Sequence, residues 1–386
     1  MNFIKNHQTS FLILLLLFIY VFEGYSKIIY ISTGNNSSIP KIIKGLGMAF
    51  MLLQLSTLPK ISLELKSLFV LVCCFIIGQL STLNGLTTEN TVFFLKYTFS
   101  LVCFLYVSKY PVKKKVIFRV FEMIILINSG LIIIGVIFSI QYFQTYSGIR
   151  FGYNGLFYSS SLSSYVYVIA LFYWLKKEKD RIWFNWEAIV VLVSACFIGT
   201  KTIYFSMAII CLYYIYFFIK NKYKNILIGI TLIIAAFLFY FVFFKYGIFS
   251  EIRKTKGILS SLLSYRNELL VNETLPYIKE NWSFFNYCFG GVKDFTTKSE
   301  MGFFDLVYFF GIVGAGIFIW LYYKTFFNFK KDLLSKFFLS LFFFIIFFTG
   351  NFFVYTSIPI FLLVLRERFK ENQNKEFQKV SDLLKN

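Results

Sequence analysis

The feature that most constrains this chain is a succession of apolar runs joined by short, basic connections. The runs lie near 11–22, 42–58, 68–83, 91–107, 116–140, 160–175, 186–200, 202–219, 225–245, 302–323, 337–350 and 352–365. A helix that crosses the hydrocarbon core of a bilayer needs about 20 apolar residues. Inside that core no water can bond the main chain, so such segments must be helical. With short loops, 386 residues leave room for about ten to twelve crossings. Composition agrees: 58% of residues are hydrophobic, Phe alone supplies 53, and only 15% are charged, against about 25% in soluble domains. An ordinary soluble enzyme, a disordered chain and a disulfide-stapled secreted module are excluded. The expected fold class is an all-α polytopic integral membrane protein of about 12 transmembrane helices with one large external loop. Its parts are residues 1–246 with helices 1–9, residues 247–301 as the external loop with an amphipathic helix, residues 302–365 with helices 10–12, and residues 366–386 as a cytoplasmic amphipathic tail.

Charge placement sets the orientation. Alternate connections hold Lys60 and Lys66; Lys109, Lys113, Lys114, Lys115 and Arg119; Lys176, Lys177, Lys179 and Arg181; Lys220, Lys222 and Lys224; and Lys324, Lys330, Lys331 and Lys336. Lys5 precedes the first run, which no small-residue cleavage site follows, so it reads as a retained span. The opposite short connections hold only Lys27, Lys41, Lys44, Arg150 and Lys201. By the positive-inside rule both termini are cytoplasmic. The net charge of +20 is thus spread over hairpin tips facing anionic membrane lipid. It forms no single face for nucleic acid, which is excluded as a partner.

The external segment from about Gly247 to Glu300 runs over fifty residues without a span. Ile258, Leu259, Leu262, Leu263, Leu269 and Leu270 recur at roughly helical spacing up to Pro276, and Trp282, Phe284, Phe285, Tyr287 and Phe289 follow. A shorter external loop, about 141–158, is rich in Gly and Tyr. In the tail, Phe369, Phe377, Val380 and Leu384 share one helical face, as in a helix lying on the membrane surface.

Candidate chemistry gathers on the outer side. Arg150 stands in Gly148-Ile-Arg-Phe-Gly-Tyr-Asn-Gly155, Lys201 in Gly199-Thr-Lys-Thr202, and Arg266 in Ser264-Tyr-Arg-Asn-Glu268. Glu300 and Asp305 bracket the start of the tenth span, which continues as Gly311-Ile-Val-Gly314. Taken singly, an interfacial Arg or Lys snorkels to headgroups, as Lys96 does near an outer span end, and Trp282 and Tyr287 anchor in the interface. Asp305 inside a span must find a cation or water. Taken together, three cations and two carboxylates suit an anionic phosphate ligand with an acid or base beside it. The six Cys show no zinc spacing, and the single His, His7, lies in the N-terminal tail. No P-loop, GxSxG or HExxH is present, so neither an ATP-driven pump nor a metalloprotease is expected.

An external loop, then an acid, a span and Gly-x-x-Gly resembles the bacterial O-antigen polymerase and ligase family, of the Wzy type. Glu300 stands eleven residues before Gly311, and Gly314 completes the motif. Arg266 resembles the Arg that opens the family's loop helix, upstream of a Gly corresponding to Gly290 or Gly291. Arg150 before Gly152 resembles the Arg of the earlier loop, and Gly199-Thr-Lys-Thr202 resembles a short element at a span end. Ligases of the family carry His at the position of Glu300, so its absence here favours a polymerase. The resemblance implies polymerisation of undecaprenyl-diphosphate-linked oligosaccharide repeats into capsule, O-antigen or exopolysaccharide at the outer face of the bacterial plasma membrane. Arg150, Lys201 and Arg266 would bind the diphosphate, Glu300 or Asp305 would take the hydroxyl proton, and Trp282 and Tyr287 would stack sugars. No cofactor and no metal are expected; a chain-length regulator and a flippase of the same pathway are the implied protein partners. The alternative is a lipid-linked oligosaccharide flippase or another polytopic transporter, which needs charges deep in a central cavity, where this sequence is almost bare.

Reporter fusions at Lys114, Lys179, Lys222 and Lys331 are expected to read cytoplasmic, and fusions at Gly155 and Lys293 to read external. A cytoplasmic signal at Lys293 overturns the orientation.

Overall fold

The computed structural model describes residues 2–58, 62–82, 85–110, 112–146, 150–245, 247–293 and 295–383, with side chains throughout except at 2–6, 180, 221 and 372–383. Lys60, the Gly148–Ile149 start of the Arg150 motif, and Leu384 fall outside these residues, as do the side chains of Lys5, Phe377 and Val380. The helices are α1 (Asn2–Thr33), α2 (Ile39–Ser56), α3 (Leu63–Leu80), α4 (Thr88–Lys109), α5 (Lys114–Phe138), α6 (Ser160–Glu178), α7 (Trp186–Cys196), α8 (Lys201–Phe218), α9 (Asn221–Tyr240), α10 (Ile248–Leu263), α11 (Arg266–Leu269), α12 (Leu275–Asn281), α13 (Phe284–Phe289), α14 (Gly302–Phe326), α15 (Leu333–Phe348) and α16 (Ile358–Leu383). Among the described residues there is no strand, only an isolated bridge between Gln144 and Tyr153. Among the described residues eight helices are long and apolar enough to cross a membrane: α1 from His7 on, α2, α3, α4, α5, α8, α9 and α14. The apolar runs assigned to the remaining crossings lie on α6, the short α7 and α15, and the first half of α16.

The bundle is built around α6 and α4. Every residue of α6 from Leu162 to Lys176 is buried, as is every residue of α4 from Tyr97 to Val107. A helix apolar on all sides belongs at the centre of a bundle. By contrast α9 leaves nearly all of its apolar surface exposed and packs chiefly on α8. Side-chain caps set the helix starts at Ser62, Thr87, Ser159, Asn185, Thr200 and Asp332, each accepting a main-chain N–H from the first turn.

At the end that gathers the basic connections, lysines meet carboxylates. Lys177 lies 2.8 Å from Glu122 and 3.1 Å from Glu187, Lys114 lies 3.2 Å from Glu367, and Lys176 pairs with Asp332. Arg366 is buried and donates to the Thr325 carbonyl at 2.8 Å. This differs from the expected tail: α16 continues through 366 without a break, and Arg366, Glu367 and Phe369 are buried among the helix ends. A helix continuous with an apolar segment that belongs to the bundle projects along it and does not lie flat. Lys27 also departs from its expected place in a connection. It lies within α1, buried, and its ammonium donates to Asn154 Oδ1 and the Gly155 carbonyl.

The described residues of the segment expected to be external are largely helical. Its expected helix is not one element: α10 breaks at Gly257, and Ser264 and Tyr265, both left-handed, turn the chain before Arg266. From there the helix runs past Pro276 to Asn281, because a wide π-helical turn at Leu270–Thr274 precedes the proline. A π turn already departs from the i→i−4 ladder that proline disrupts. The segment then docks by main chain. Gly290 (φ +76) lies against the main chain at Phe309 and Gly311, where α14 itself breaks with Gly311 at φ +67. A Cβ on either residue would overlap neighbouring main chain. Asn286, buried beside this joint, donates to the carbonyls of Gly78 and Gly290. Gly311, the first glycine of Gly-x-x-Gly, is therefore a seat for the returning loop, whereas Gly314 faces Cys74 of α3.

Gly311→Ala is expected to destabilise the protein by at least ~1–2 kcal/mol from the left-handed backbone alone, with overlap adding to it. Gly316→Ala, where nothing lies within 4 Å, is expected to be neutral. Melting of the purified proteins in detergent compares them; equal melting of both variants contradicts the joint.

Candidate functional site

The end of the bundle opposite the paired lysines carries the expected site residues, and the local folding of three segments brings them together. The loop after α5 is stitched to the α7–α8 corner: Tyr153 N–H donates to the Phe197 carbonyl at 2.7 Å, and the Thr145 hydroxyl donates to the Ile198 carbonyl at 3.0 Å. Arg150 is thereby placed beside the start of α8. Thr200 caps α8 through the Ile203 N–H and meets the Ser164 hydroxyl at 2.6 Å, which fixes the first turn carrying Lys201 to the central helix.

The Arg150 guanidinium lies 3.8 Å from the ring centroid of Tyr146 and 4.7 Å from that of Phe249. Stacking on aromatic faces orients the fork and leaves its N–H edges open. Among the described residues no carboxylate pairs with it. Burial lowers its pKa from the usual arginine value, partly offset by Tyr146 and Tyr204, and an arginine remains charged. Lys201 takes the other side of the cluster. Its ammonium lies 3.9 Å from the Phe249 ring and donates to the carbonyls of Ser261 at 2.6 Å and Leu262 at 2.9 Å. Arg150 and Arg266 are both within electrostatic reach of it.

Arg266 follows the left-handed pair at Ser264 and Tyr265. Its guanidinium donates to the Leu263 carbonyl at 3.3 Å and stands 3.8 Å from the Glu300 carboxylate, while its Nε is buried with no hydrogen-bond partner among the described residues. A buried donor left unmatched costs about 1–3 kcal/mol, so the side chain is held with bonding capacity to spare. Glu268, a neighbour in sequence, pairs with Lys256 and Ser260 instead. Glu300 has φ +57 and packs its main chain directly on Gly350, in the turn between α15 and α16. The break at Thr349–Asn351 is thus a turn under the acid. Tyr165 and Tyr355 lie within electrostatic reach of Arg266.

Asp305 does not share this arrangement. It is buried and accepts both the N–H and the hydroxyl of Ser299 at 2.8 Å. The expected cation is Lys298, within electrostatic reach of this carboxylate, and the hydrogen bonds come from the turn that presents Glu300. Trp282 donates to the Gly291 carbonyl at 3.1 Å and stacks on Tyr308, with Tyr287 edge-on at 5.2 Å. It is a brace of the external segment, whereas Tyr287 is exposed. Lys96 lies over Phe93 beside Lys298. The sequence does not single out Phe249 and Tyr146; among 53 Phe and 27 Tyr no local pattern marks a ring that sits between two cations. Among the described residues no three His, Cys, Asp or Glu gather as a metal site requires.

Comparison of the chain with protein-family models, curated proteins and solved structures finds no match. The geometry itself offers two guanidinium forks with open donors and one part-exposed carboxylate, which suits a phosphate-bearing anion and a nearby proton transfer. Asp305→Asn keeps an acceptor for Ser299 and is expected to leave melting in detergent unchanged. Asp305→Ala strands the Ser299 N–H and is expected to cost about 1–3 kcal/mol. A large loss in the Asn variant alone contradicts this assignment.

Proposed function

We propose that the chain polymerises undecaprenyl-diphosphate-linked oligosaccharide repeats into a surface polysaccharide at the outer face of a bacterial plasma membrane, crossing it twelve times with both termini in the cytoplasm. The observation that carries this reading is the convergence of Arg150, Arg266 and Glu300 at one end of the bundle, while Lys114, Lys176 and Lys177 at the other end pair with carboxylates. Twelve crossings put the connections rich in Lys and Arg on the side of those paired lysines, and those with only Lys27, Lys41, Lys44, Arg150 and Lys201 on the other.

In this reading Arg150 and Arg266 hold the diphosphate of the growing chain as forks on phosphate oxygens. A hydroxyl at the non-reducing end of a second lipid-linked repeat attacks the anomeric carbon. The new bond forms between that hydroxyl oxygen and the anomeric carbon, the bond from the anomeric carbon to the phosphate oxygen breaks, and the proton passes to Glu300. The leaving diphosphate departs with its charge already faced by two guanidinium groups. A transporter requires charges accessible in the middle of the bundle, whereas these charges sit where the external segment meets the helix ends.

Deletion of the gene is expected to leave single repeats on the carrier, open to an externally added glycosidase, and to abolish the polymer ladder. Both Arg266→Lys and Arg266→Ala are expected to cut polymer by about 10²–10³ at normal membrane abundance, because an ammonium cannot grip two phosphate oxygens as a fork does. Lys256→Ala, which removes an exposed partner 4.0 Å from Glu268, is expected to be tolerated. If Arg266 served only as a surface partner of Glu300, worth about 0–1 kcal/mol, both variants would make full polymer and the reading falls. Repeats that the glycosidase cannot reach would point to transport instead.

A further inference from the structure

Lys201 is expected from its sequence setting to bind phosphate, yet its bonding capacity is committed elsewhere. An ammonium has three N–H donors. Two go to the carbonyls of Ser261 and Leu262, and the ammonium sits 3.9 Å from the face of Phe249 and 5.4 Å from that of Phe243. The carbonyls and the Phe249 ring come from both halves of α10. Phe249 is in its first turn, and Ser261 and Leu262 are in its last, on the far side of the break at Gly257. The Ser261 hydroxyl donates to the Phe249 carbonyl at 2.6 Å and closes the two halves into a bracket. Lys201 fills that bracket from the rigid first turn of α8.

The location has an electrostatic reason. The last carbonyls of a helix have no N–H partner inside it and carry partial negative charge. At α10 they are taken by cations: Ser261 and Leu262 by Lys201, and Leu263 by Arg266. One helix end thus holds two cations close together that would otherwise repel. Immediately after those carbonyls the chain reverses through Ser264 and Tyr265 to present Arg266 toward Glu300. The same Phe249 ring lies between Lys201 and Arg150.

We infer that Lys201 is a positioning residue: it pins the carboxyl end of α10 and the Phe249 ring to the first turn of α8, and so sets the places of Arg266 and Arg150 without itself touching the phosphate. Its effect on polymer rests on the polymerase reading; its effect on the external segment does not.

Two readouts separate these. Ser264→Cys, in a background with Cys196 and Cys288 replaced by Ala, is labelled from outside intact cells with a membrane-impermeant maleimide. Ser264 is half-buried in the turn that Lys201 holds. Lys201→Met, which keeps the length and removes the donors, is expected to raise the labelling rate several-fold. Lys201→Arg retains donors for the carbonyls and is expected to label close to the parent. In membranes supplied with lipid-linked repeat, Lys201→Met is expected to raise the repeat concentration needed for half-maximal polymer about tenfold, and Lys201→Arg to restore most of it. Membrane abundance is checked for each, and Phe249→Leu, which removes the ring and leaves the lysine, is expected to give a smaller rise in labelling. Unchanged labelling in Lys201→Met with polymer lost would make Lys201 a direct phosphate ligand and overturn the pin. Raised labelling with full polymer would overturn the positioning role. If the parent itself makes no polymer, the polymerase reading fails while the labelling still decides the pin.

Discussion

The placement of the long segment between α9 and α14 depends on main chain touching main chain. Where Gly290 meets Gly311, a segment of more than fifty residues is seated on the bundle without any intervening side chain. Close approach of this kind is how helices associate when the surroundings are as apolar as the side chains, because packing and hydrogen bonds must replace a hydrophobic driving force. Asn286 and Asn90 complete the seam by donating to main-chain carbonyls on the facing elements. From that seat the chain leads through Ser299 and Glu300 into α14, so the position of the acid follows from the joint.

The charges divide along the bundle. At one end Lys177 reaches two carboxylates and Glu367 draws in Lys114, Arg366 and Lys370. At the other, Lys44 pairs with Glu23 at 2.5 Å, but among the described residues no carboxylate pairs with Arg150, Lys201 has carbonyls and two rings, and Arg266 faces a single glutamate across 3.8 Å. Partly buried ions are kept without a full complement of counter-charges only where something else offsets their desolvation. Here that role falls to Phe249, Tyr146 and the end of α10.

Most of the helix pattern is legible in the amino-acid order, because each long apolar run must satisfy its own main chain and so becomes a helix. The residues of the site are legible as types: an Arg, a Lys and an acid on the outer side. Their partners are not. The atoms that hold Lys201 are carbonyl oxygens, which every residue carries and no sequence displays. The left-handed pair Ser264–Tyr265 involves residues with no strong preference for that conformation, so the turn before Arg266 is hidden inside what reads as a continuous helical face. Pro276 reads as a terminus because an isolated proline breaks an α-helix, and the π turn ahead of it has no such simple mark. Asp305 is recognisable as a group that needs a partner, and the partner is a main-chain N–H with a hydroxyl.

The two cations on the end of α10 have a consequence for how the site stores charge. Arg150, Lys201 and Arg266 gather beside one carboxylate, Glu300, and the unpaired carbonyls at the end of α10. The balance is positive, spread over groups that are partly removed from water. A neutral sugar or a zwitterionic headgroup brings no net charge to balance it, whereas an anionic group does. Charge neutrality on filling is thus a selection rule that acts before any single contact is made.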